Sequence, residues 1–94
     1  MSQNKLKSTV LIDNDKLRVT ELRFSPHAAT GFHKHELDYM VIPMNDGKLL
    51  LKASNGDNYA ELTAGQPYFN KAGVEHDVIN DNAFEFILIE TELK

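Results

Sequence analysis

Residues 45–58 read Asn-Asp-Gly-Lys-Leu-Leu-Leu-Lys-Ala-Ser-Asn-Gly-Asp-Asn. An apolar run, Lys48 to Ala53, is bracketed by Asn45-Asp46-Gly47 and by Asn55-Gly56. Asn and Gly tolerate the positive φ that tight hairpin turns need, so the stretch predicts a strand between two chain reversals. The pattern extends in both directions. Thr9 to Ile12, Leu17 to Phe24 and Leu37 to Met44 come before it, and Tyr59 to Ala64, Glu75 to Ile79 and Phe84 to Leu93 come after. Asp13-Asn14-Asp15, Ser25-Pro26, Gly65 and Asn80-Asp81-Asn82 punctuate them. Within the runs the apolar period is close to two. Leu49 and Leu51 share one face, and Phe84, Phe86 and Leu88 share another, with Ile87 and Ile89 opposite. No segment carries a 3.6-residue stripe of helical length. Seven or eight short strands at this spacing predict an all-β sandwich or barrel. In the run from Leu17 to Phe24 the apolar face flips between Val19 and Leu22, which predicts a bulge or a strand that switches sheets.

The chain has 94 residues, which sets one domain over 1–94. A domain of this size has a thin core, burying roughly 60–65% of its unfolded surface. The apolar share of 41% still supports globular folding. With no cysteine, disulfide frameworks, thiolate zinc knuckles, Fe–S clusters and thiol nucleophiles are excluded. Ten basic residues face fourteen acidic ones, for a formal charge of −4 and a pI near 5.4. That balance argues against nucleic acid, which needs a basic face. The longest purely apolar stretch, Phe86 to Ile89, is far too short to span a membrane. The first residues also lack the apolar core of a secretion signal, so a cytoplasmic location is expected. Leu37 to Met44 and Phe84 to Ile89 are apolar on both faces. Strands covered on both sides of a small barrel predict a homodimer.

Three of the four histidines carry the chemistry. His33 and His35 lie in Gly31-Phe32-His33-Lys34-His35, and on a strand residues two apart point to the same face. His76 follows a Gly-containing turn, with Val78 and Asn80 on its face. Three neutral imidazoles with an open position suit a catalytic zinc or a non-heme iron. A His-x-His at a strand entrance is also common as a solvated surface pair. His27, in the loop after Pro26, has only a surface reading.

The residues around the histidines resemble the two-motif signature of the cupin superfamily. Its first motif places Gly before His-x-His, then Glu after three or four residues, then Gly after six more. Gly31, His33, His35 and Gly47 fit, with Gly31 nearer the histidines than usual. Its second motif asks for Gly65, Gly73, His76 and Asn80 at the spacings found, with Lys71 where proline is expected. The motifs cover Gly31 to Asn80, about half the chain. The likeness is strongest to small single-domain bacterial cupins of beta-alanine degradation, in the runs from His33 to Tyr39 and from Tyr68 to His76. The resemblance implies a jelly-roll barrel and one divalent metal ion (Fe, Zn, Ni or Mn) on His33, His35 and His76.

The ligating Glu of the first motif is missing. The six-residue step to Gly47 puts Met40 in its place, whereas strand alternation puts Tyr39 there, facing inward. Glu36 and Asp38 alternate away. A shell of three histidines and water resembles the three-histidine cupin dioxygenases, which also lack that Glu. Such a shell leaves the ion's full charge and open positions for a small, anionic metabolite. Tyr39 is the candidate catalytic donor, or else a core residue with a satisfied hydroxyl. The other expectation is a non-catalytic binding or sensing cupin, because fold alone gives no activity. Tyr68 and Phe69 read as wall packing, Glu75 and Asp77 as a solvated face, and Asn80 as structural or cavity-lining. Arg18 and Arg23 read as surface ion pairs, and Gly31, Gly47, Gly65 and Gly73 as turn residues.

Overall fold

The structure, a computed structural model, describes residues 5–94; residues 1–4 of the domain expected over 1–94 lie outside it. The strands are β1 (Leu6–Asp13), β2 (Leu17–Phe24), β3 (His33–Lys34), β4 (Asp38–Pro43), β5 (Gly47–Ala53), β6 (Gly56–Leu62), β7 (Tyr68–Asn70), β8 (Glu75–Asn80) and β9 (Phe86–Leu93). Seven of these fall on the apolar runs. The two extra ones, β3 and β7, are too short to show a period.

The strands form two antiparallel sheets, ordered β1-β2-β9-β4-β7 and β3-β8-β5-β6. Their inner faces hold the core: Phe24, Tyr39, Val41, Phe86 and Leu88 from the first, Leu49 and Val78 from the second. Alternation explains the choice, since residues two apart enter together. Phe84 does not join them. It precedes β9 and is half exposed, so the inward series begins at Phe86.

The expected irregularity is present, but on the neighbouring strand. β2 keeps one register against β9 from Leu17↔Leu93 to Phe24↔Phe86. The register slips in β1 between Val10 and Ile12, where Leu11 is extra. Thus Arg18, Thr20, Leu22 and Phe24 all face inward, while Leu17 and Val19 belong to the outer face. That face is apolar as well: Phe69, Met40, Thr91, Val19 and Ile12 lie side by side across all five strands, with Ile42 and Ile89 on the next rung. Phe69 therefore points outward, 51% exposed, instead of packing in the wall.

Two motif residues prove to be packing devices. Gly47 begins β5 with no left-handed torsion, so it is not a turn residue of the positive-φ kind; a Cβ there would lie 2.7 Å from the Phe86 ring. Asn80, fully buried at the end of β8, does not line the cavity. Its Nδ2 donates to the carbonyls of Phe24, Ser25 and Phe84, and its Oδ1 accepts from the backbone N–H and Nδ2 of Asn82. One side chain thus ties the ends of β2 and β8 to the start of the β8–β9 turn. Removing it orphans buried carbonyls, at about 1–3 kcal/mol per group. Asn80→Ala is expected to lose roughly 2–4 kcal/mol in urea unfolding; a loss under about 0.5 kcal/mol would contradict this role.

Candidate functional site

His33 pairs directly with His76 across β3 and β8. Beyond β3 the pairing continues: His35 N–H donates to the Val74 carbonyl (2.8 Å), and Gly73 N–H donates to the His35 carbonyl (2.8 Å). Gly73 sits at φ +107°, a torsion that L side chains rarely adopt, and this turn delivers β8 in register. The loop before β3 is pinned to β8, because Gly31 N–H donates to Asp77 Oδ1 (3.0 Å) and Val78 N–H donates to Thr30 Oγ1 (3.1 Å). Asp77 is therefore a loop anchor as well as an outward residue. Asp38, turned from the histidines as expected, accepts from Ala72 N–H (2.8 Å) and braces the approach to Gly73.

These contacts bring three imidazole nitrogens together. His33 Nε2 lies 3.0 Å from His35 Nε2, which lies 3.2 Å from His76 Nε2. The ligand atoms of the three all fall within 4.8 Å of one another. His27 is exposed in the preceding turn and takes no part. His33 Nδ1 is 2.9 Å from the Gly31 carbonyl, which can only accept, so Nδ1 carries the proton and Nε2 offers its lone pair. His35 is almost fully buried, with its ring stacked on Tyr39 at 3.8 Å and 16°. Its Nδ1 faces Glu90 Oε2 at 3.7 Å.

Burial, then the neighbouring His33 and His76, pushes His35 down to about 4. Burial and His33 also lower His76, against a smaller opposing effect of Asp77. Both rings are thus neutral at physiological pH, the state in which imidazole ligates metals. A cation about 2.0–2.1 Å from each nitrogen would set nitrogen–nitrogen separations of about 3.0–3.4 Å. The His33–His35 and His35–His76 separations match that, and with all three ligand atoms within 4.8 Å of one another a small inward turn of the rings would let one divalent ion reach all three.

The histidines open into a cavity of about 610 Å³ between the sheets. Phe24, Leu49, Val78 and Leu88 line one part, and Tyr39, Tyr68, Glu90, Glu92 and Arg18 another. Tyr39 takes the inward position and Met40 the outer one, as alternation required. The Tyr39 hydroxyl accepts from Asn70 Nδ2 (3.1 Å), and burial raises its pKa, so it stays protonated with its own hydrogen free to donate. Burial, Tyr39 and Glu90 push Tyr68 up to about 12. Arg18 is more than a surface residue: it borders the cavity while pairing with Glu92 (3.3 Å) and Asp13 (3.6 Å). Arg23 pairs with Glu21 and Glu85, away from the cavity.

Sequence reasoning passed over Glu90 and Glu92. They continue the inward alternation of Phe86 and Leu88 along β9, and a carboxylate on an apolar face was the available signal. Burial and then Glu92 push Glu90 up to about 7.

No protein-family model matches the chain. A beta-alanine degradation protein, BauB of Pseudomonas aeruginosa, is 56% identical over 86 residues, which is 92% of this chain and 90% of the relative. A cupin domain from Bordetella pertussis Tohama I superposes with a TM-score of 0.95 at 45% identity, covering 100% of this chain and 98% of that one. The chain belongs to the cupin superfamily. A cupin superfamily protein from Desulfitobacterium hafniense, 14% identical with a TM-score of 0.77 over 99% of this chain and 81% of that one, shares the fold. The two sheets are accordingly those of a jelly roll, and this cupin resembles BauB along nearly its whole length.

The shifts at Glu90 and His35 set opposite pH trends for the chelator-treated protein. His35 is lowered, so the unfolded chain takes a proton that the fold refuses, and stability is lost as pH falls from 6.5 towards 4. Glu90 is raised, so its contribution is present below 4.5 and lost as pH climbs through 7. Urea unfolding should therefore show Glu90→Gln gaining roughly 2–3 kcal/mol over the parent between pH 4.5 and pH 8. A pH-independent difference would show that Glu90 is not held in the fold as described.

Proposed function

We propose that this cupin holds one divalent ion per chain on His33, His35 and His76 and acts as a cytoplasmic metalloenzyme on a small metabolite. The observation that carries the reading is the convergence of three imidazole Nε2 atoms at the edge of a cavity large enough for a small molecule. The beta-alanine degradation name of the relative supports a substrate from that catabolism. A bound ion there would supply a Lewis acid with open positions and, were it iron, a centre for O₂ chemistry. Within this reading Tyr39 is the hydrogen-bond donor to the substrate. Its stack on His35 fixes the ring, and Asn70 fixes the hydroxyl.

Elemental analysis after reconstitution with Fe, Zn, Ni or Mn should give one ion per chain, and His76→Ala should abolish it. Unchanged stoichiometry in the variant would refute the assignment. Tyr39→Phe keeps the stack, so it should keep the ion and lose turnover or ligand response by about 10²–10³-fold. Full metal binding without turnover of any beta-alanine-derived metabolite would favour the binding or sensing alternative.

The outer face of the five-stranded sheet also supports a homodimer. Phe69, Met40, Val19, Ile12, Ile42 and Ile89 form one apolar surface there, of the kind a second copy covers. Light scattering should return twice the 10.6 kDa chain mass, and Ile42→Lys with Ile89→Lys should halve it. A parent mass of 10.6 kDa would exclude the dimer.

A further inference from the structure

The cavity contains a carboxylate that the mechanism above does not use. Glu90 stands on β9 opposite Val41, one rung from the Glu92–Tyr39 pair. Its side chain is 17% exposed and its Oε2 is 3.7 Å from His35 Nδ1. Tyr39 occupies the position where alternation would put the carboxylate of the first motif, and its ring covers one face of His35. The His35 imidazole is therefore covered on one face by an aromatic ring and approached by a carboxylate at its Nδ1 edge.

We propose that Glu90 is the positioning residue of the histidine cluster, placed on β9 to take up His35 Nδ1–H when the three histidines hold a cation. The inference rests on the metal reading above. Its physical basis is the coupling between the two nitrogens of one imidazole. A carboxylate at Nδ1 fixes the tautomer with the lone pair on Nε2 and makes that lone pair a stronger donor. The effect also runs the other way. Electron density drawn from Nε2 makes Nδ1–H more acidic, so cation binding should tighten a contact that now exceeds hydrogen-bond length. The three rings do not share this support. His33 Nδ1 faces a neutral carbonyl, and among the described residues His35 is the one imidazole with a carboxylate within 4 Å.

The test is a competition titration of the full-length protein with Co(II) against a chromophoric chelator. It is paired with proton NMR of the imidazole N–H signals in the Zn(II)-loaded form. Glu90→Gln should weaken Co(II) binding by about 10–100-fold and move the His35 Nδ1–H resonance upfield. Glu90→Asp should recover part of both. Glu75→Gln, which removes a charge beside His76 from the outward face, should change affinity less than about twofold. Equal affinities for the parent and Glu90→Gln, or an equal loss in Glu75→Gln, would overturn the proposal while leaving the metal site intact. A parent protein that binds no Co(II) would overturn the metal reading, and this inference with it. Urea unfolding of metal-free Glu90→Gln separates weakened binding from lost fold.

Discussion

One rung of backbone pairing, His33 opposite His76, holds the two motifs together. β3 is only two residues long, so it has little cohesion of its own. Its position comes from contacts on either side: the Gly31 and Thr30 bonds to β8 before it, and the reciprocal His35–Val74 and Gly73–His35 bonds after it. Imidazoles from two parts of the chain then meet, with His35 Nε2 3.0 Å from that of His33 and 3.2 Å from that of His76, because the ladder sets the register. A slip of one residue would turn His76 outward and bring Glu75 or Asp77 in. The many polar bonds around a short strand serve to prevent that slip.

The second constraint is the cost of packing polar groups inside a small barrel. Asn80 meets it by saturating its amide with three carbonyls from two segments, the end of β2 and the turn before β9. Tyr39 meets it through Asn70. Glu90 has no neutral donor within hydrogen-bond reach and faces an imidazole edge instead. No fully buried side-chain N or O atom among the described residues lacks a partner, and the Glu90 carboxylate keeps some exposure beside the histidines.

Most of this was legible in the residues because β structure declares itself by alternation. The seven longer strands, the pairing of His33 with His35 on one face and the inward turn of Tyr39 follow from a period of two, while the convergence with His76 follows from the two-motif resemblance. What stayed hidden lay where alternation is silent or misleading. β3 and β7 are too short to carry a period. The flip in β2 was an outer-face patch at Leu17 and Val19, with the extra residue lodged in β1 as Leu11. Phe69 reads as wall packing on hydrophobicity although the outer face is apolar too, and Phe84 shares the period of Phe86 although it precedes β9. Glu90 lies outside both motifs, on β9 beside the β4 strand where the first motif places its carboxylate.

The cavity is also divided by polarity. Rungs of Arg18, Glu92, Tyr39, Glu90 and Tyr68 give way along the strands to Leu22, Leu88 and Phe24. Water in the apolar half has few partners and is weakly held, whereas water along the polar rungs is well bonded. A ligand with a short hydrocarbon part would displace the first kind and leave the second. Its binding would then carry a negative heat-capacity change set by the length of its carbon chain, with the polar end deciding orientation.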